Sequence, residues 1–297
     1  MRSEKQMYKL IKDFARKDDR IRGIVLNGSR ANPNVERDPF QDYDIVYLVT
    51  DIEPFKDENY IINHFGEVML MQKPEEITLI PPEGDGRYIY LIQFYDGNRI
   101  DMQFRHIDKA EKVVEDSLTE ILLDKDDFIP ETGEPDESSY FIQQPTEKYY
   151  WDCCSEFYFG IGSQIPKTIW RKELPLLKNL IYIVLRKPLV QMLKWHIGNK
   201  YNFKVSAGKG WKNLKKYLEH DYWQKYKKTY SDYKYDNIWN SLFVFHELFT
   251  EIAANLAEEF DYKFPQKDAE NSIKYLRYVK KLPEDRKIGE YNYQINK

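Results

Sequence analysis

Apolar positions along the first third of the chain recur at two different periods, and the change of period marks the elements. Ser3 with Gln6 three residues later forms a capping-box pattern, and Met7, Leu10, Ile11 and Phe14 then fall on one helical face. The near-continuous apolar runs 21–26 and 45–49 predict two short buried strands. A short helix is expected from Glu53-Pro54 to about His64, and a third strand over 67–72. Asp96-Gly97 is a two-residue hairpin signal joining the runs 88–95 and 98–105. In the second of these Ile100, Met102 and Phe104 share the apolar face, which leaves Asp101 on the other. From Asp108 the pattern turns helical, and residues 124–146 are acidic, proline-bearing and poor in apolar periodicity, which predicts a domain boundary there. Beyond it helical spacing dominates over 147–161, 168–198, 211–228 and 237–260, with Pro175 and Pro188 expected to kink or divide the second segment. The fold class is therefore α+β: a first domain, 1–135, with a mixed β-sheet and flanking helices, and a second, 136–297, that is an all-α helical bundle. All six tryptophans lie in the second part, where most aromatics are expected to be bundle core.

Chemistry enters between the first two strands. Gly28-Ser29-Arg30 opens a loop that ends on Asp42-Tyr43-Asp44, so a small-residue turn and a carboxylate pair at i, i+2 both sit at strand edges. A glycine there lets backbone approach a phosphate closely, and the Ser29 hydroxyl adds a donor. On a strand Asp42 and Asp44 project from one face, where they repel each other unless a cation lies between them. Mg²⁺ suits such a pair, because it takes one or two carboxylates together with phosphate oxygens and water. Asp101 is a third acid in mid-strand; its ordinary reading is a half-exposed sheet face and its functional one is a further metal ligand. The loop 32–41, with two prolines, is expected to lie over a nucleotide.

Gly28-Ser29, twelve residues, Asp42-x-Asp44 and a later hairpin acid resemble the nucleotidyltransferase superfamily of the DNA polymerase β type. The words Gly-Ser-Arg, Phe40-Gln41-Asp42-Tyr43-Asp44-Ile45, Phe65-Gly66, Met71-Gln72-Lys73-Pro74-Glu75, Leu122-Leu123-Asp124-Lys125-Asp126, Asp152-Cys153-Cys154-x-Glu156-Phe157, Arg171-x-Glu173 and Trp195-His196 resemble the aminoglycoside 6-adenylyltransferases, also called streptomycin adenylyltransferases. That resemblance implies a nucleotidyltransferase domain that binds ATP and Mg²⁺, an acceptor-binding helical domain, and transfer of AMP to an aminoglycoside hydroxyl. It implies metal binding by Asp42, Asp44 and Asp101, with Asp101 either ligand or general base. Gly28, Ser29 and Arg30 would meet the triphosphate, and Gly208-Lys209-Gly210-Trp211-Lys212 matches a Gly-Lys-x-x-Lys that would bring Lys209 and Lys212 to the phosphates. A cationic acceptor needs carboxylates and aromatic faces, and Asp152 and Glu156, one helical turn apart, are the candidates. The chain departs from the family at Asn27, where relatives carry glutamate, and at Asn179, where they carry aspartate. Both departures remove negative charge and leave open a different small-molecule or protein hydroxyl as acceptor, or a member that only binds nucleotide.

Composition narrows this reading little. Lys plus Arg number 45 against 49 Asp plus Glu, a net charge of −4, and with a pI near 5.9 this argues against nucleic acid as a partner. No apolar run reaches membrane-spanning length and no leader pattern opens the chain, so the expectation is a cytoplasmic protein with no membrane partner. Adjacent Cys153 and Cys154 cannot form an ordinary disulfide and are expected in a helix core, and the five histidines show no metal-ligand spacing. Oligomeric state is not legible.

Overall fold

The computed structural model describes residues 1–283; the final stretch of the expected second domain, 284–297, lies outside them. The chain divides into two compact units, Met1–Ser139 and Tyr140–Lys297.

The first unit is a six-stranded mixed sheet. Helix α1 (Glu4–Lys17) carries the expected capping box, with Ser3 and Gln6 bonding each other reciprocally. Strands β1 (Ile21–Asn27) and β2 (Tyr43–Val49) follow, then α2 (Glu58–Phe65), β3 (Val68–Gln72), β4 (Tyr88–Phe94), β5 (Arg99–His106), the single turn α3 (Ala110–Val113) and β6 (Thr119–Asp124). Their order is β3-β4-β5-β2-β1-β6, antiparallel throughout except for the parallel pair β2 and β5. Strand β6 corrects the sequence reading, which expected only helix after Asp108. It is an edge strand, mostly half-buried, and its register against β1 shifts between Ile24 and Val25. That bulge and partial burial blur the two-residue alternation that announces a strand.

The two faces of the sheet are covered unequally. On one, Met7, Ile11 and Phe14 of α1 pack with Tyr43, Tyr47, Phe55, Phe65, Tyr90 and Phe104 in a large aromatic core. On the other, Val25, Val46, Leu48, Ala110, Val113 and Ile129 make a much smaller cluster. Side chains alternate along β2, so Tyr43, Ile45 and Tyr47 enter the large core while Asp44 shares a face with Val46 and Leu48. The Asp96-Gly97 turn has the expected left-handed glycine, with φ of 84° at Gly97, and Arg2 clamps it by donating from its backbone N and Nε to Asp96 Oδ2 at 2.9 and 2.6 Å.

The second unit is helical: α4 (Glu147–Phe159), α5 (Ile165–Trp170), α6 (Leu174–Leu180), α7 (Lys187–Lys200), α8 (Leu214–Tyr217), α9 (His220–Lys228), α10 (Tyr235–Phe260) and α11 (Gln266–Lys280). Two expected segments differ. The segment 168–198 divides just before Pro175, where Lys172 has φ of 60°. At Pro188 it continues instead, with a wide π-turn at 181–186 running directly into α7 through Arg186 and Lys187 in helical backbone. The segment 211–228 breaks into α8 and α9, with Gly210 and Trp211 in left-handed backbone at its start. Helix α11 was not anticipated. Wide π-turns at 160–164 and 181–186 meet closely, since a Cβ on Gly160 would lie 2.9 Å from Val184 Cγ2. Cys153 and Cys154 are free and buried; burial pushes the Cys154 thiol up to about 12 and Cys153 upward as well. Among the described residues no helix is long and apolar enough to cross a membrane.

Candidate functional site

Strand register builds the site. Asn27 of β1 is opposite Asp44 of β2, and Asp44 is opposite Asp101 of β5. Asp42 stands two residues before Asp44, on the same face, at the thinly covered side of the sheet. Gly28 follows Asn27 with φ of +74°, and a Cβ there would lie 2.5 Å from Asp44 Oδ2. Glycine is thus required twice over, by the backbone and by the carboxylate that occupies the space a side chain would take. Its N–H donates to the Leu118 carbonyl at 3.1 Å, which ties the turn to the approach of β6. Asn27 Nδ2 donates to Thr119 Oγ1 at 2.7 Å, so the residue where the resemblance expected glutamate is held within the sheet.

Arg30 is buried. Its guanidinium donates to the carbonyls of Asp42 at 3.0 Å and Gln41 at 2.8 Å, and to Glu4 Oε1 at 3.1 Å. It also lies over the Tyr43 ring, 3.7 Å from the centroid. These contacts pin the segment that delivers Asp42. Ser29 is half-buried, and its carbonyl accepts from Gln41 Nε2 at 3.4 Å. The loop after it is anchored by Asn32, whose Nδ2 donates to Glu137 at 2.8 Å, while residues 33–40 are largely exposed.

One residue of the site was not assigned a role from sequence. Arg99 Nε and Nη2 donate to the two Asp101 oxygens at 2.8 and 2.9 Å, and Nε is 3.5 Å from Asp42 Oδ2. The hydrogen bond to Asp101, with the charges of Asp101, Asp42 and Asp44, holds the Arg99 guanidinium pKa above its ordinary value. All three carboxylates therefore act on one cationic position. Among the described residues no three His, Cys, Asp or Glu side chains form a ready-made metal cage, and the guanidinium stands among the acids that would have to form one. The donor set itself, three carboxylates on one face with oxygens only, suits a hard divalent cation. The spacing that reveals Arg99 is i, i+2 to Asp101 on a strand, the same relation that links Asp42 to Asp44.

The other expected residues belong to the second unit. Asp152 and Glu156 are exposed on α4, with Asp152 accepting from Lys148 Nζ at 2.5 and 2.6 Å. Asn179 is exposed on α6, next to Lys178, whose Nζ donates to the carbonyls of Ser231 and Asp232. Lys209 and Lys212 are exposed at the turn that precedes α8. The left-handed Gly208 there has no room for a side chain, since a Cβ would come within 2.9 Å of both Asn213 and Lys212.

Over nearly its whole length the chain is similar to curated enzymes that move a nucleotidyl group. It is 39% identical over 281 residues to "Aminoglycoside 6-adenylyltransferase" of Bacillus subtilis (strain 168), covering 94% of this chain and 98% of that protein. Proteins of the same description from Campylobacter jejuni and Staphylococcus aureus are 35% and 34% identical, over 95% and 92% of this chain and 97% and 98% of theirs. A crystal structure of an aminoglycoside 6-adenyltransferase from Bacillus subtilis, 34% identical and covering 95% of this chain and 100% of its own, overlays with a TM-score of 0.47, a value that adds nothing to the sequence identities. The identities define the protein as a nucleotidyltransferase. The family described as streptomycin adenylyltransferase matches residues 1–279, and the chain belongs to that family.

Proposed function

We propose that this protein transfers AMP from ATP to a hydroxyl of an aminoglycoside, streptomycin-like in class, and releases pyrophosphate. The observation that carries the reading is the convergence of Asp42, Asp44 and Asp101 on one cationic position beside the Gly28 turn, in a chain of this family. The acceptor oxygen forms a bond to the α-phosphorus, the bond from that phosphorus to the β-bridging oxygen breaks, and pyrophosphate carries away the electron pair. Asp42, Asp44 and Asp101 would hold Mg²⁺, which supplies neutralisation of the charge on the triphosphate oxygens. Asp101 either completes that set or receives the hydroxyl proton. Ser29 offers its hydroxyl to the phosphates, Gly28 makes room for Asp44, and Arg30 acts by holding the Asp42 segment through its two carbonyls. Lys209 and Lys212 are proposed phosphate contacts of the second unit, and Asp152, Glu156 and Asn179 proposed acceptor contacts. Two free buried cysteines and the consumption of ATP support a cytoplasmic location.

Asn27 and Asn179 favour a second reading, in which the acceptor is a different small-molecule or protein hydroxyl, because both positions are neutral amides where relatives are expected to be anionic. A guanidinium paired with a carboxylate gains about 1.5 to 3 kcal/mol, which an amide does not supply. Pyrophosphate release with ATP, Mg²⁺ and a panel of aminoglycosides tests both. Acceptor-dependent release with streptomycin or a close analogue is expected. Release that no aminoglycoside stimulates overturns the first reading.

A further inference from the structure

The cation shared by the three carboxylates is the chain's own. Arg99 meets Asp101 through two parallel N–H···O contacts of 2.8 and 2.9 Å and reaches Asp42 at 3.5 Å, the fork geometry in which arginine binds carboxylate best. A divalent ion taking oxygens from Asp42 and Asp101 would have to share those carboxylates with the guanidinium. It would also bring two positive charges against one already present.

We infer that Arg99 is the resident counter-ion of this site: it offsets part of the charge of Asp42, Asp44 and Asp101 while no divalent ion is bound, and competes with that ion for Asp101. The inference rests on the metal reading given above. Exchange is built into the geometry. The Arg99 side chain is 42% exposed and that of Asp101 19%, so the guanidinium can turn outward on its flexible stem while the carboxylate stays in the sheet. Its main partner is two residues away on the same strand, so release gives up only the 3.5 Å contact to Asp42 at the entry to β2 and leaves the backbone pairing of β5 with β4 and β2 in place. The consequence is an apo protein in which repulsion among the acids is reduced and whose affinity for a free ion is held down.

The test titrates Mn²⁺, as a probe for the divalent site, into nucleotide-free full-length protein from which metal has been removed. Wild type, Arg99→Gln, Arg99→Lys and, as a site control, Asp44→Asn are compared. Arg99→Gln should bind Mn²⁺ about tenfold more tightly at low ionic strength, the order expected from removing one unit charge a few ångströms away in a partly hydrated site. Arg99→Lys, which keeps the charge and loses the fork, should fall between the two. Melting of metal-free Arg99→Gln should occur below that of wild type and be restored by Mn²⁺ more than wild type is raised by it. A purely structural arginine would lower the melting temperature with no gain in affinity, and that result in both Arg99 variants overturns the inference. If Arg99→Gln does not fold, Arg99→Lys decides on the same criterion. Should Asp44→Asn weaken Mn²⁺ binding while both Arg99 variants match wild type, only the counter-ion inference fails. If Asp44→Asn leaves Mn²⁺ binding unaltered, the metal reading fails and the inference with it.

Discussion

Two pairs of carboxylates in this protein look alike in sequence and differ in how they are held. Asp42 and Asp44 are i, i+2 on a strand; Asp152 and Glu156 are i, i+4 on a helix. Each pair projects from one face. The strand pair is fixed from several directions: Arg30 binds the carbonyl of Asp42, Gly28 leaves a space shaped to Asp44, and β5 brings Asp101 and Arg99 alongside. The helix pair is exposed on α4, where Lys148 pairs with Asp152. Acidic charge gathered by two strands, β2 and β5, and partly offset by one internal cation is arranged to exchange that cation. Acidic charge along one helix is arranged to stay hydrated.

The comparison breaks first if the strand acids prove dispensable. Asp42→Asn and Asp44→Asn are each expected to abolish transfer with little change in melting temperature, because each removes a member of a repulsive set. Pyrophosphate release and thermal melting on the same preparations check this; near-wild-type turnover in both variants would remove the metal assignment. Asp101→Asn is expected to lower turnover by about 10² or more, the range of general-base contributions. Mn²⁺ affinity measured alongside separates its two roles, since loss of affinity with turnover marks a ligand and loss of turnover alone marks a base.

Gly28→Ala should have the next largest effect. The substitution forces alanine into left-handed backbone, at a cost of about 1 to 3 kcal/mol, and drives a methyl against Asp44 Oδ2. Melting temperature and turnover should fall together, in contrast to the two aspartate variants. A stable Gly28→Ala protein with normal turnover would show that the fit of Asp44 against the turn is incidental.

Local features were the legible ones. The Ser3 capping box, the Asp96-Gly97 hairpin and the alternation that sets Asp101 opposite Ile100 and Met102 depend on residues a few positions apart. What the sequence hid depends on distant partners or weak periodicity. Arg30 reads from sequence as a phosphate ligand, and its bonds to Glu4, 26 residues earlier, and to the carbonyls of 41 and 42 depend on partners that local spacing does not show. Strand β6 carries a bulge and lies at an edge. Arg99 stands at i, i+2 from Asp101, a spacing legible in the sequence, but a cation does not announce itself as part of a metal site. The boundary of the two units, between Ser139 and Tyr140, lies within the acidic, proline-bearing stretch 124–146, which is poor in apolar periodicity.

The smallest effects are expected on α4. Asp152→Asn removes an exposed i, i+4 pair with Lys148, worth about 0.3 to 0.5 kcal/mol, so melting should be almost unchanged. Glu156→Gln removes an exposed carboxylate from the same face and should be equally mild. The informative readout is kinetic. If this face receives a cationic acceptor, each substitution should raise the acceptor KM severalfold and leave kcat and the ATP KM alone, because exposed charges contribute mainly to uniform binding and to encounter. Added salt should shrink the difference between variant and wild type, since screening weakens the same attraction that the substitution removes. Acceptor KM values that match wild type in both single variants and in the double variant, at low salt, would confine the acceptor's contacts to other residues and leave Asp152 and Glu156 as a solvated helix face.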